Sequence, residues 1–76
     1  MNYTIICQYG PHPAMVHLFP FDNGYIAEKV YQRMCQGIPE CTIILMFKAV
    51  VLSAFMGEKG WKVNCTLGDN KVIFAE

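Results

Sequence analysis

Charged side chains are scarce in this sequence. Asp, Glu, Lys and Arg make up 16% of the 76 residues, whereas about 25% is typical of a soluble domain. Six basic residues balance six acidic ones, so the formal net charge is zero. Because nucleic acids and anionic lipids are bound by an excess of Lys and Arg, this balance argues against both as partners.

Motifs for catalysis, metal binding and phosphate binding are also missing. His12 and His17 lie five positions apart, and Cys35 and Cys41 lie six apart. Neither spacing matches the close ligand pairs of a structural zinc site. The glycines stand singly rather than in a phosphate-binding loop, and the scattered acidic residues offer no carboxylate pair for acid–base catalysis. We therefore expect no metal, no cofactor and no enzymatic activity.

The four cysteines, Cys7, Cys35, Cys41 and Cys65, are open to two interpretations. An even number in a short chain can form a disulfide framework. However, the opening MNYTIICQYG lacks the basic and long apolar regions of a signal peptide. Each cysteine also has apolar neighbours, among which a reduced thiol behaves as a small hydrophobic group. We predict reduced cysteines and a cytoplasmic location.

A catalytic thiol is the one enzyme candidate that the residue types allow. It would pair a cysteine with His12 or His17 and with an orienting group such as Asp22. Reactive thiols occupy polar, partly exposed sites, whereas Cys7 and Cys65 are predicted to point inward. The sequence therefore does not favour this chemistry.

A nearly uncharged run, CTIILMFKAVVLSAFMG at residues 41–57, occupies the middle of the chain. A membrane helix needs about 20 apolar residues, and Lys48 lies near the middle of this shorter run, where a charge is costly to insert. A single soluble helix here would be apolar on every side and hard to bury in a small domain. We predict a β-branched strand over Thr42–Phe47. A short helix from Lys48 follows, with one apolar face made of Val51, Leu52 and Phe55.

The N-terminal half is predicted to form a hairpin and a helix. Residues 3–9 and Met15–Phe19 are the two strands, and Pro20 ends the second because it cannot donate to a ladder. The helix lies within residues 21–37, is capped by Asp22 or Asn23 and ends at Gly37. Its predicted buried stripe consists of Ile26, Ala27, Val30, Tyr31 and Met34.

The C-terminal part is predicted to form a second hairpin, with strands Trp61–Leu67 and Lys71–Ala75 around an Asp69–Asn70 turn. Leu67 then lies opposite Val72, and Cys65 lies opposite Phe74. This register places the apolar residues on one face: Trp61, Val63, Cys65, Leu67, Val72 and Phe74.

The predicted order β-β-α-β-α-β-β forms a single domain over residues 1–76. It indicates an α+β two-layer sandwich with a mainly antiparallel sheet and two helices on one face.

Apolar side chains are abundant, at 54% of the residues. A domain this small has a high ratio of surface to volume and cannot bury them all, and an exposed apolar patch usually marks an interface. We expect the uncovered sheet face to bind protein, either another protein or a second copy of the chain in a homodimer. The predicted contact residues are Ile6, Val16, Leu18 and Ile73. The exposed edge strand 71–75 is an alternative contact, through strand addition.

Two other functions stay open from the sequence alone. A short apolar domain without catalytic motifs could inhibit a larger host complex, as small proteins of phages and mobile elements do. A single-stranded nucleic-acid binder is the second possibility, because Trp61 lies between Lys59 and Lys62, and aromatic rings flanked by cations stack on bases. Lys71 lies on the partner strand. The predicted register turns Trp61 inward and Lys62 outward, which weakens this hypothesis.

Overall fold

A computed structural model describes residues 2–74 of the chain. Within this range the chain forms six strands and one helix, so the predicted α+β class is confirmed. In chain order the elements are β1 (Tyr3–Gln8), β2 (Val16–Phe21), α1 (Gly24–Gly37), β3 (Thr42–Phe47), β4 (Val50–Phe55), β5 (Val63–Leu67) and β6 (Asn70–Phe74).

Four of the strands form one antiparallel sheet in the order β2-β1-β3-β4. The predicted N-terminal hairpin is present, with Cys7 opposite His17. Strand β3 has the predicted bounds and lies antiparallel to β1, with Cys7 opposite Ile43. Strand β2 continues through Pro20 to Phe21, so the prediction that Pro20 ends it was wrong. Proline is tolerated there because β2 is an edge strand.

The predicted second helix is absent, and residues 50–55 form strand β4 instead. β4 returns beside β3 after a two-residue turn at Lys48 and Ala49, with Phe47 opposite Val50. The spacing of Val51, Leu52 and Phe55 fits a helical stripe, but pairing with the buried strand β3 decides the structure. Tertiary context of this kind commonly overrides local pattern.

Helix α1 packs on one face of the sheet. The Asn23 side chain caps it by accepting hydrogen bonds from the backbone N–H groups of Tyr25 and Ile26, at 2.9 and 3.1 Å. Ala27 is fully buried, and Val30, Tyr31 and Met34 pack against the cluster that contains Ile5, Cys7, Ile43 and Leu45. Ile26 was predicted to be buried but is 51% exposed. No helix in residues 2–74 is long and apolar enough to cross a membrane.

The opposite face of the sheet is covered by the β5–β6 hairpin. Ile6, Ile44 and Met46 of the sheet form a second buried cluster with Val63 and Val72 of the hairpin. The domain therefore has three layers, helix, sheet and hairpin, rather than the predicted two. The extra layer is possible because the apolar face of the hairpin finds its partner on the second face of the sheet.

The β5–β6 pairing differs from the predicted register by two residues. Leu67 lies opposite Asn70, Cys65 opposite Val72 and Val63 opposite Phe74, around a turn at Gly68 with φ of 61°. A shift of two residues is one full side-chain period in a strand. The predicted inward residues that lie within β5 and β6 therefore still face the second buried cluster. The prediction was wrong for Trp61, which precedes β5 and packs against the cluster beneath α1. The predicted strand position Ala75 lies outside the described residues.

The turn between β3 and β4 holds a lysine in a left-handed conformation. Lys48 has φ of 52°, a region that costs a non-glycine residue roughly 1–2 kcal/mol. We expect Lys48→Gly to raise the free energy of unfolding by about 0.5–1 kcal/mol, because relief of this strain outweighs the extra freedom of glycine in the unfolded chain. Urea denaturation followed by Trp61 fluorescence measures the change.

The matched control for this prediction is Lys62→Gly. Lys62 is exposed and has no positive φ, so glycine there should leave the stability unchanged or lower it slightly. A Lys48→Gly variant no more stable than the Lys62→Gly variant would contradict the assignment of strain to this turn.

Candidate protein-binding surface

The four residues predicted to bind a partner do not share one surface. Ile6 is 0% exposed and lies beneath the β5–β6 hairpin, and Val16 is half-buried against the same cluster. The predicted open face is thus part of the core, and Ile6 cannot touch a partner in this fold. Leu18 is exposed on the edge strand β2, whereas Ile73 is 67% exposed on β6. Only these two have side chains that a partner could reach readily.

Strand β4 forms one edge of the four-stranded sheet and exposes apolar side chains along its length. Val50, Val51 and Leu52 are 58%, 49% and 51% exposed. The strand sequence VVLSAF contains no ionisable residue and no proline. Natural edge strands usually carry a charge or a proline that prevents pairing with another chain. β4 lacks both, and its outer edge pairs with no other strand in residues 2–74.

A break in the pairing register distinguishes Leu52 from the other two residues. Leu45 lies opposite Ser53, while the next residue, Met46, lies opposite Val51. Leu52 is thus the extra residue of a β-bulge and has no cross-strand partner. Bulges bend edge strands and re-aim their side chains. At this position the bulge leaves a large apolar side chain half exposed.

Ile73 belongs to the same region of the surface as β4. A groove of about 250 Å³ runs between β4 and β6, and its lining includes Met46, Val51 and Ile73. The predicted contact residue Ile73 therefore adjoins the exposed edge that the sequence did not reveal. We call Val50, Val51, Leu52 and Ile73 together the β4 edge surface.

The other edge of the sheet is less suited to strand pairing. Strand β2 includes Pro20, which lies opposite Thr4 of β1 and has no N–H to donate. The exposed part of β2 presents aromatic rings instead. His17 packs edge-on against Tyr9 and Phe19, with ring centroids 5.4 and 5.5 Å apart. The two sheet edges therefore differ in their capacity to accept another strand.

A second groove, of about 440 Å³, lies between α1 and the β1–β2 hairpin. Cys7, Cys41, His17 and Met34 are among its lining residues. The fold thus brings Cys7 and His17 together, as a thiol nucleophile would require. The Cys7 and Cys41 thiols lie close enough for each to shift the pKa of the other.

The protonation of these thiols opposes nucleophilic chemistry. Burial, reinforced by the neighbouring Cys41, raises the pKa of Cys7 to about 12. Burial also raises the pKa of Cys41 and of Cys35, although the Tyr31 hydroxyl opposes the shift at Cys35. Activated thiols have a lowered pKa. Cys7 is a protonated packing group at neutral pH, and all four cysteines are free thiols.

The remaining sequence candidates do not form a site. Trp61 is half-buried against the cluster beneath α1, so its ring does not provide an open platform for nucleic-acid bases. Within residues 2–74, no three or more His, Cys, Asp or Glu side chains are arranged to hold a metal ion.

No protein-family model matches the chain, and no curated protein or solved structure is significantly similar to it. The candidate surface therefore rests on the chemistry of its own residues.

Proposed function

We propose that this domain binds protein by strand addition at the β4 edge surface, and that its partner is a second copy of the chain. The observation that carries the proposal is the exposed, uncharged and proline-free edge strand Val50–Phe55. Strand addition supplies main-chain hydrogen bonds along such an edge, while neighbouring side chains supply specificity.

The charge distribution favours a second copy as the partner. The chain has no net charge, so two copies do not repel one another at long range. β4 also brings no ionisable side chain to the centre of the contact. Apolar strands are self-complementary, as the symmetric interface of a homodimer requires.

The size of the β4 edge surface predicts a weak dimer. A standard interface removes about 800 Å² from each partner, which is roughly a sixth of the 4805 Å² surface of this subunit. One six-residue strand and Ile73 provide less than that. Association also costs several kcal/mol of lost freedom, so we expect a dissociation constant of about 1–100 μM.

Sedimentation analysis tests the proposal. We expect the wild type to shift from monomer to dimer between about 1 and 300 μM. Leu52→Lys should raise the dissociation constant at least about tenfold, because two lysines would meet where two apolar edges pair. Leu52 suits the test because it has no cross-strand partner, so the subunit should still fold, as circular dichroism can verify.

The control variant is Ile26→Lys on helix α1. Ile26 is 51% exposed, the same as Leu52, and lies away from β4 on a different element. This variant should dimerise as the wild type does. A wild type that stays monomeric throughout the concentration range, or equal weakening by both variants, would refute the proposal.

A further inference from the structure

We propose that the two β4 strands pair antiparallel about a two-fold axis at Ser53, so that Lys48 of each copy faces Glu58 of the other. The inference rests on the proposed homodimer and adds its register and the charges that fix it. It follows from the positions of two oppositely charged residues at the two ends of one uncharged segment.

The sequence spacing around Ser53 is symmetric. Lys48 lies five residues before Ser53 and Glu58 lies five residues after it, and residues 49–57 carry no charge. In an antiparallel pair related by a two-fold axis, residues equally far from the axis lie opposite each other. β4 itself covers Val50–Phe55, so an axis at Ser53 brings the end of one strand that follows Lys48 next to the end of the other strand that continues to Glu58, at both ends of the contact.

Hydrogen bonds to other parts of the domain fix the backbone of both charged residues just beyond the two ends of β4. Lys48 occupies the turn between β3 and β4, and its backbone N–H donates to the carbonyl oxygen of Asn2 at 2.7 Å. The Glu58 N–H donates to the carbonyl oxygen of Pro39 at 2.9 Å. Both side chains are exposed, so each can reach an opposite charge across a paired edge.

The same register matches side chains by size. It places Leu52, which is half exposed, opposite Ala54, one of the smallest residues of the strand. Val51 then lies opposite Phe55, an apolar pair of the kind that stabilises neighbouring strands. A parallel arrangement would instead bring Lys48 beside Lys48 and Glu58 beside Glu58. Charge and size therefore favour the same antiparallel register.

Charge reversal tests the register. Lys48→Glu alone and Glu58→Lys alone each set like charges opposite one another, and each should raise the dimer dissociation constant about tenfold. The double variant restores opposite charges and should return the constant to within about threefold of wild type. Raising the NaCl concentration from about 50 to 500 mM should shrink these differences, because exposed charges are screened by salt.

Two variants with the same charge changes elsewhere serve as controls. Lys62, which precedes β5, and Glu28, which lies on α1, are both exposed. Neither Lys62→Glu nor Glu28→Lys should alter the dissociation constant by more than about twofold.

The outcomes separate the two proposals. If the wild type dimerises and Leu52→Lys disrupts the dimer, but the double charge reversal fails to rescue the single variants, then this register is wrong and the proposed function stands. A monomeric wild type would overturn both.

Discussion

Replacing Gly57 with alanine should lower the free energy of unfolding by about 3 kcal/mol or more, the upper part of the range for overpacking. A Cβ at this position would lie closer than 3.0 Å to the carbonyl oxygen of Glu40 and to the carbonyl group of Cys41. These are backbone atoms at the start of the central strand β3, so no side-chain rotation relieves the overlap. The backbone itself must move.

Movement at Gly57 would also disturb the hydrogen bonds that join the end of β4 to the rest of the domain. The Gly57 N–H donates to Thr42 Oγ1 at 3.3 Å, and the Thr42 hydroxyl in turn donates to the carbonyl oxygen of Trp61 at 2.6 Å. Thr42 is fully buried, so polar groups left unpaired there would each cost about 1–3 kcal/mol.

Urea denaturation followed by circular dichroism measures the effect of Gly57→Ala. A domain of 76 residues has a total stability of about 4–11 kcal/mol, so a loss of about 3 kcal/mol would remove roughly a quarter to three quarters of it and lower the urea midpoint accordingly. The control is Gly37→Ala, where an added Cβ meets no atom within 4 Å. A Gly57→Ala variant as stable as Gly37→Ala would contradict the close approach of β4 to β3.

Alkaline pH should destabilise the domain through its buried thiols. The pKa of Cys7 is raised from 9.0 to about 12 because burial disfavours the thiolate. The unfolded chain ionises this thiol near pH 9, while the folded chain keeps it protonated. Its contribution to stability is therefore complete below pH 9 and is lost as the pH rises towards 12. At about 1.4 kcal/mol per pKa unit, the loss approaches about 4 kcal/mol.

Denaturation curves between about pH 8 and 11.5 test this prediction against the variant Cys7→Ala. The variant should be less stable at pH 8, by about 1–2 kcal/mol, because it loses packing atoms. The difference in stability should narrow with increasing pH and then change sign, since alanine does not titrate and the loss at Cys7 exceeds its packing contribution. Cys35, Cys41 and Cys65 also have raised pKa values. Cys35 and Cys65 contribute to both proteins alike, whereas Cys41 loses its interaction with Cys7 in the variant. A constant difference across the pH range would rule out Cys7 as the titrating group.

Period-two alternation predicted the faces of the strands better than their pairing. Apart from Trp61, the predicted inward residues of the C-terminal hairpin are correct although its register differs by two residues, because a shift of two preserves the side of each residue. Strand β3 was predicted with its observed bounds since its long β-branched run is characteristic of a buried strand.

Strand β4 could not be predicted because its local pattern is ambiguous. Val51, Leu52 and Phe55 fit one face of a helix as well as an apolar strand, and short apolar runs do not separate the two. The turn before β4 uses Lys48 at positive φ, where the usual hairpin signal is Asn or Gly. Nothing in the dipeptide Lys48–Ala49 predicts a reversal of the chain.

The candidate surface was missed for a related reason. Ile6, Val16, Leu18 and Ile73 were predicted on an open sheet face, but the inward face of the β5–β6 hairpin needed a partner of its own. The hairpin packs onto Ile6 and buries that face of the sheet. The exposed apolar side chains lie on β4 instead. Of the four residues, Ile73 alone adjoins the β4 edge surface. When the spatial order of the strands in a sheet differs from their order along the chain, the sequence does not reveal which strand lies at the edge.

Pro20 has a consequence for what happens after two copies meet. If both outer strands of the sheet accepted a neighbour equally well, each added molecule would present a fresh site, and growth would continue into a fibre. Because the Pro20 nitrogen in β2 carries no hydrogen, the outer strands of the paired sheet offer an incomplete row of donors. Assembly would then stop at the dimer. Pro20 alone would prevent an aggregation-prone sheet from growing into a fibre.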